Sequence, residues 1–346
     1  MLEPQVYPII SIFAQVLTIQ FQTVMKCRLS IIIPIYKAEP FLRQCLDAIV
    51  NQSAQPYEVI LVNDGSPDNC DVICNEYVER YPFFKYLKQD NQGVSVARNN
   101  GIALATGDYL TFCDPDDYYT QDFYEYISNI IEKYQSDTYH FNYNTINESK
   151  VINQVFLPNT GDIKTYNNDE VLNGDAALGG LMVWRFIYRK SIINAFNIKF
   201  PPGIIISEDE IFNLRYFKHA KTFLHIDKVF YNYVLHENSI ISQSYSTFNK
   251  KAIDSLYTNA LTMIEESNGI SYNEVIERIK VSIRFFITPY YTTKSIPQDE
   301  MKQFRLRLKH LVDTMSRSGL NFDKRFLLST KIKSQFFPIY RAIKQL

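Results

Sequence analysis

Apolar residues along this chain fall into two regimes. Leu29-Ser30-Ile31-Ile32-Ile33-Pro34 is a short run rich in β-branched residues, and Glu58-Val59-Ile60-Leu61-Val62-Asn63-Asp64 is a second. Runs of this length without strict alternation read as strands buried on both faces. Between them Phe41, Leu42, Cys45, Leu46, Ile49 and Val50 recur at helical spacing. Asp64-Gly65-Ser66-Pro67-Asp68 is a turn and helix-start signature. It opens a helix running to about Tyr81, followed by a third strand near Phe84–Leu87, a helix over Gly93 to Leu104 and a fourth strand over Tyr109 to Cys113. Strands alternating with helices of this length predict crossover connections and a parallel sheet, hence an α/β fold.

Beyond about Asp122 the pattern loosens. Gln121–Tyr134 reads as a helix and Thr138–Asn144 alternates as a strand, whereas residues 145–180 are polar and weakly patterned. Val183 to Ile193, Glu208 to His219 and Lys228 to Val234 are again ordered in pattern, and from about Lys250 the periodicity is helical only. The expected division is an N-terminal extension over 1–26, an α/β domain over 27–245 and a mainly helical, basic region over 246–346.

Composition narrows the function classes. With 46% hydrophobic residues and 36 basic against 37 acidic side chains, the chain is no disordered segment and has no overall electrostatic footprint for nucleic acid. Charge is nevertheless uneven: residues 299–346 hold eleven Lys/Arg and four Asp/Glu, a net of +7 that leaves −8 for the rest. The five cysteines, Cys27, Cys45, Cys70, Cys74 and Cys113, form neither a Cys-x-x-Cys pair nor a zinc-site spacing. They read as reduced cytosolic thiols acting as small hydrophobes. Pro4 to Met25 carries no charge and approaches the length of a membrane helix, but four glutamines interrupt it. It is read as a mis-assigned extension ahead of a true start at Met25, with a weak membrane-associated helix as the alternative.

Candidate chemistry sits where the predicted strands end. In an open parallel sheet, ligands bind outside the carboxyl ends of the strands. Ile35-Tyr36-Lys37 follows the first strand, Asp64-Gly65-Ser66 closes the second, and Asp114-Pro115-Asp116-Asp117 follows the fourth. No Gly-x-Gly-x-x-Gly follows the first strand, and no Gly-x-x-x-x-Gly-Lys-Ser/Thr occurs, which disfavours a dinucleotide fold and excludes a Walker-type loop. Three carboxylates crowded behind an apolar strand raise one another's pKa unless a cation neutralises them. Hard oxygen donors beside a diphosphate suit Mg²⁺ or Mn²⁺. The plainer reading is an acidic helix N-terminus.

Ser30-Ile31-Ile32-Ile33-Pro34-Ile35-Tyr36, Val62-Asn63-Asp64-Gly65-Ser66, Gln92-Gly93-Val94-Ser95-Val96-Ala97-Arg98-Asn99, Gly107-Asp108-Tyr109 and Asp114-Pro115-Asp116-Asp117 occur in that order. Together they resemble the nucleotide-sugar half of a family 2 glycosyltransferase with the GT-A fold. The resemblance is dense over 28–120 and sparse through Val183–Arg189 and Ser207-Glu208-Asp209-Glu210 to about Asn238-Ser239. It implies a Rossmann-like nucleotide-binding sheet with flanking helices, a donor half over about 28–120 and an acceptor half over about 121–245.

The resemblance also implies roles. Tyr36 would lie against the base, Asp64 would accept from a uracil-like N–H, and Arg98 would position the nucleotide or its phosphates. Pro34, Glu39, Gly65, Ser66, Gly93 and Asn99 would line the same nucleotide-sugar site. Asp114 would approach the ribose or the metal and Asp116 would ligate Mn²⁺ or Mg²⁺. Pro115 replaces the commoner small residue between the acids, which removes an N–H but leaves the carboxylates in place. Of the pair Glu208 and Asp209, Asp209 is assigned as general base for an inverting transfer. Trp184, the single Trp, is a weak acceptor-side candidate.

The expected function is therefore transfer of a sugar, from UDP-hexose or UDP-N-acetylhexosamine, to a hydroxyl of a glycan or lipid-linked acceptor in capsule, lipopolysaccharide or exopolysaccharide assembly. Two rivals are a non-catalytic nucleotide-sugar-binding subunit and a sugar-nucleotide pyrophosphorylase-type transferase. The latter calls for a Gly-rich loop where Lys37-Ala38-Glu39-Pro40 has none. The basic tail interleaves charge with apolar residues such as Phe304, Leu308, Leu311, Phe336 and Phe337. It is expected either to pack on the domain or to contact an anionic membrane peripherally, holding a cytoplasmic enzyme at the inner face.

Overall fold

The structure, a computed structural model, describes residues 27–147, 150–155, 163–173, 180–236, 250–267, 273–287, 290 and 296–318. The expectations for residues 1–26, for Asn238-Ser239 and for the tail beyond 318 lie outside the described residues.

The first half follows the apolar runs. β1 (Leu29–Ile35), α1 (Glu39–Val50), β2 (Glu58–Asp64), α2 (Cys70–Arg80), β3 (Phe84–Gln89), α3 (Val94–Leu104) and β4 (Tyr109–Phe112) alternate as expected. All seven residues of β1 and of β2 are buried, so no polar face interrupts either run. The four strands are parallel in the order β3-β2-β1-β4. Pro34 is tolerated in β1 by position: Ile32 offers its carbonyl to Cys113, and Pro34, two residues on and facing the same way, lies beyond the end of β4.

The second half extends the same sheet. β5 (Tyr118–Tyr119), α4 (Phe123–Tyr134), β6 (Thr138–Asn147), β7 (Lys150–Val155), β8 (Ile163–Asn167), α5 (Asn168–Leu172), a 3-10 turn (Val183–Arg185), β9 (Phe186–Arg189), α6 (Lys190–Ala195), α7 (Glu208–Phe217) and β10 (Thr222–Val234) follow in turn. β9 runs antiparallel between β4 and β6, and β10 is parallel to β6, giving the path β3-β2-β1-β4-β9-β6-β10-β5. The carboxyl ends of β4, β6 and β10 therefore point the same way. β7, β8 and α5 occupy the stretch that carries little pattern. Val151 and Ile152 are half exposed on β7, and strands exposed at an edge lose the alternation that identifies them.

Two apolar layers cover the sheet. Leu42, Cys45, Leu46, Ile73, Phe123 and Ile127 pack one face, drawn from α1, α2 and α4. On the other, α3 and α7 lie against Ile32, Val62 and Phe112. Gly101 of α3 makes this approach close, because a Cβ there would meet Ile32 Cγ2 at 2.4 Å. α8 (Lys250–Ser267), α9 (Asn273–Ile287) and α10 (Gln298–Arg317) contribute Ile253, Leu256, Met263, Ile283, Phe304 and Leu308 to this same layer. The apolar core thus runs unbroken across the boundary drawn at 245/246. All five cysteines are free and buried.

Candidate active site

Each loop at the carboxyl ends of β1, β2 and β3 is shaped by its neighbours. Lys37, left-handed at φ +53°, donates its N–H to Ser66 Oγ at 2.7 Å. Glu39 accepts from the Asn69 amide nitrogen and from Asn69 Nδ2 (3.0 and 2.7 Å), while its own N–H meets Asp68 Oδ2 at 3.1 Å. Ser66 also donates to Asp68 Oδ1 at 2.6 Å. Gly65 sits at φ +64°, where a Cβ would lie 2.8 Å from the Asn91 nitrogen. Asp64 is 3% exposed and accepts from Gln89 Nε2, Gln92 N and Gly93 N at 2.7, 2.9 and 2.8 Å. Its first duty is to fold the β3–α3 loop back across β2. Of the roughly four acceptor positions of a carboxylate, one remains for a ligand. Gly93 opens α3 with free space around its Cα, and Tyr36 is 44% exposed beside Lys37. Pro34 is inside the sheet. Asn99 gives both ends of its amide to the Phe200 backbone, each at 2.9 Å.

Arg98 stands one helical turn before the Gly101 contact, and it is 4% exposed. It faces acids rather than open solvent. Nη1 reaches Glu208 Oε1 at 2.7 Å and Asp209 Oδ1 at 2.8 Å, and Nη2 reaches Asp114 Oδ1 at 3.1 Å. One buried guanidinium thus joins the end of β4, 16 residues on from it, to the start of α7, 110 residues on. In this arrangement it is the shared counter-ion of three carboxylates. The nearby acids hold its pKa above the ordinary arginine value against the opposing effect of burial. Three carboxylates on one cation leave a net negative charge. Burial is the largest influence on Asp209 and pushes its carboxyl up to about 8, outweighing the pull of Arg98. Its second oxygen accepts from the Val183 N–H at 3.1 Å. The Asp209 side chain is 18% exposed and Glu208 10%, so Asp209 is the more accessible of the pair.

The structure sorts the three acids after β4. Asp114 gives one oxygen to Arg98, and its backbone N–H donates to Tyr231 Oη at 3.0 Å. Asp117 is turned inward at 1% exposure, accepting from Tyr231 Oη at 2.9 Å and from Val234 N at 2.7 Å. It ties this loop to β10, a structural duty the acid cluster alone does not reveal. Asp116 keeps a 42% exposed side chain, with His236 Nε2 3.8 Å from Oδ2. Crowding by surrounding protein atoms, then the charge of Asp114, raise the Asp116 carboxyl to about 6.

Among the described residues no group of three or more His, Cys, Asp or Glu side chains is arranged as a metal site. The donor chemistry still fits a hard divalent cation. Asp114 and Asp116 are adjacent and under-compensated, and His236 Nε2 has no hydrogen-bond partner among the described residues. One or two carboxylates completed by water and substrate phosphates is the usual Mg²⁺ arrangement.

Trp184 is 3% exposed. It stacks on Tyr231 (4.3 Å between centroids, 9°) and meets Tyr143 edge-on. It packs the acceptor half and presents no ring face to a sugar in this form. A cavity of about 560 Å³, lined among others by Arg28, Thr106, Asp108 and Arg189, lies at the amino ends of β1 and β4, and none of the predicted site residues lines it. The sequence pattern also missed Tyr231, Val183 and His236, whose partners lie 26 to 120 residues away.

Known proteins resemble this chain in both sequence and fold. Residues 30–192 match the family model described as Glycosyl transferase family 2. An uncharacterized glycosyltransferase, EpsJ of Bacillus subtilis, is 31% identical over 231 residues, covering 62% of this chain and 63% of that protein. Glycosyltransferase GlyA of Streptococcus pneumoniae is 30% identical over 62% of this chain and 31% of its own length. The chain thus spans less than two thirds of either relative. Among solved structures, residues 1–349 of S. aureus TarS in complex with UDP-GlcNAc superpose with a TM-score of 0.65 at 18% identity, covering 93% of this chain and 91% of that one. The motifs thus stand in order within the stretch, residues 30–192, that matches the family 2 glycosyltransferase model, on a fold shared with TarS.

Proposed function

We propose that this protein is an inverting glycosyltransferase that moves a sugar from a UDP-sugar to a hydroxyl of a glycan or lipid-linked acceptor in bacterial surface-polysaccharide assembly. The observation that carries the reading is the convergence of Asp114, Glu208 and Asp209 on the buried Arg98 at the carboxyl edge of the sheet. The relatives' names and the UDP-sugar bound to TarS support the substrate class.

In this reading Asp209 takes the proton of the acceptor hydroxyl as that oxygen attacks the anomeric carbon. A carboxyl poised near 8 is a better-matched base than an ordinary aspartate. Arg98 orients Asp209 and restrains the charge of the cluster, with Glu208 as its deeper partner. Tyr36 offers an exposed ring to the base, and the remaining acceptor position of Asp64 faces an imide N–H. Asp116 and Asp114, with His236 beside them, would hold Mn²⁺ or Mg²⁺, which would supply charge stabilisation to the leaving diphosphate.

The test is incubation with UDP-, GDP- and dTDP-sugars, with and without Mn²⁺, following release of the nucleotide. Metal-dependent release from a UDP-sugar is expected, and lost in Asp116→Ala. A protein that binds UDP-sugars but leaves all of them intact is a binding subunit, and the proposal then fails.

A further inference from the structure

The turn that delivers the acid pair is not self-supporting. Ser207 precedes α7 at φ +61°, a left-handed conformation uncommon for a residue with a side chain, and its hydroxyl makes no capping hydrogen bond. Within the turn only the Glu210 N–H reaches the Ser207 carbonyl, at 3.2 Å, and three backbone groups around Ser207 take partners from α8. Asn259 of α8 donates from Nδ2 to the Ser207 carbonyl at 2.7 Å. Ser255, one helical turn earlier on the same face, accepts with Oγ from the Ile205 and Ile206 N–H groups at 2.9 and 3.2 Å. A second layer stands behind: Ser282 of α9 donates to Asn259 Oδ1 at 2.8 Å and lies 3.4 Å from Glu210 Oε2. Asn259, Ser282 and Ser255 are 0%, 1% and 4% exposed in a mainly apolar helical layer.

Burying amide and hydroxyl groups there has a cost that packing alone does not explain, because an apolar side chain fills the same space without desolvation. The contacts go to consecutive peptide groups immediately before Glu208 and Asp209, and to the residue after them. We infer that Asn259, Ser255 and Ser282 are positioning residues: the C-terminal helices lock the left-handed turn at Ser207 and so set the Asp209 carboxylate against Arg98. The catalytic consequence rests on the glycosyl-transfer reading; the mechanical one does not.

Asn259→Leu keeps the volume and removes both hydrogen bonds. The holding function predicts that kcat of UDP-sugar turnover falls at least ten-fold while the Kd for UDP, measured by calorimetry, stays within two-fold. It also predicts faster hydrogen exchange in peptides covering 204–212, with exchange over 58–80 unchanged. Ser207→Gly in the Asn259→Leu background should recover much of the rate, since glycine adopts the left-handed turn unaided. Asn259→Leu with wild-type kcat and wild-type exchange over 204–212 overturns the inference, as does a loss that Ser207→Gly leaves untouched. If Asn259→Leu does not fold, Ser255→Ala is read in the same way, with a two- to five-fold loss of kcat expected. If the wild-type protein turns over no UDP-sugar, the functional reading fails on its own. The exchange experiment then decides the positioning role: faster exchange over 204–212 supports it and unchanged exchange overturns it.

Discussion

The donor half and the acid side of this site are built differently. Around Tyr36, Asp64 and Gly93, the shaping hydrogen bonds join loops 25 to 30 residues apart, all at the ends of neighbouring parallel strands. Around Glu208 and Asp209 they come from residues 26 to 111 positions away, on the 3-10 turn, α3, α8 and α9. The first arrangement follows from the βαβ topology, which places consecutive strand ends side by side. The second draws on both α3 and the helices after residue 250 that pack on the sheet. Nucleotide recognition and proton abstraction should therefore respond separately to mutation, with Arg98 as the link.

Breaking that link should have the largest effect. Arg98→Met leaves Asp114, Glu208 and Asp209 partly or wholly buried without their shared cation, and removing one member of such a set costs about 3–5 kcal/mol. Urea unfolding should register that loss, and activity should vanish. The pH dependence has a definite sign. Without the guanidinium the Asp209 carboxyl, already raised by burial, rises further, so the variant is relatively more stable under mildly acidic conditions and loses ground as pH rises. A variant of wild-type stability with no such pH dependence would mean the two halves hold together without this ion cluster.

Asp209→Asn should separate chemistry from binding. A base whose folded carboxyl titrates at about 8 works in its ionised form, so wild-type kcat should climb with pH through that value and level off above it. The amide variant should lose about 10²- to 10⁴-fold in kcat, together with the climb, while UDP affinity stays within a few-fold. If Glu208→Gln abolishes the pH dependence and Asp209→Asn does not, the base is Glu208.

The same contrast explains what the sequence made legible. β1, β2 and β4 were readable because strands buried on both faces are continuous apolar runs, and their polar ends followed at once. Asp64 and Asp114 stand out for that reason, whereas the Glu208-Asp209 pair, with no strand before it, stands out only through the family resemblance. The partners of Arg98 were not readable: a guanidinium in a loop-to-helix segment suits phosphate or carboxylate equally, and its carboxylates stand up to 111 residues further on. Asp117 looked like a third metal-facing acid because nothing local announces Tyr231 and Val234 as its donors. Trp184 could stack or pack until Tyr231 was seen beneath it. β7 and β8 went unread because edge strands carry a weaker pattern than buried ones.

A smaller and opposite effect is expected in the donor half. In Gly65→Ala the new Cβ meets backbone atoms, Asn91 N at 2.8 Å and Gln89 O at 3.2 Å, at a φ that alanine avoids. Neither atom belongs to a flexible side chain, so the β2 turn must shift, at a cost of about 1–3 kcal/mol. Because Asp64 and Ser66 flank it, UDP affinity should fall while kcat at saturating donor changes little. A loss confined to kcat would contradict the separation of the two halves.

The smallest effect per residue is expected at the surface of the helical region, where the basic segment has two faces. The stripe of Phe304, Leu308 and Leu311 on α10 is buried, with Phe304 stacked on Tyr290 at 4.0 Å. Those residues pack on the domain, so they are not an apolar face for lipid. Lys302, Arg305 and Lys309 are exposed and share one side of the helix with Leu306, which is 55% exposed. Among the described residues no helix is long and apolar enough to cross a membrane, so an attraction between this face and lipid would be peripheral and electrostatic. Each basic residue near an anionic surface contributes about 1 kcal/mol, screened within a Debye length of about 8–10 Å. Replacing all three with glutamine should weaken co-sedimentation with phosphatidylserine vesicles at low salt and leave binding to neutral vesicles unchanged. UDP affinity and Asp209-dependent turnover of a water-soluble acceptor should also be unaffected, because these side chains are exposed on α10 and are not among the residues that shape the site. Binding that survives the triple substitution undiminished would remove this helix from membrane attachment.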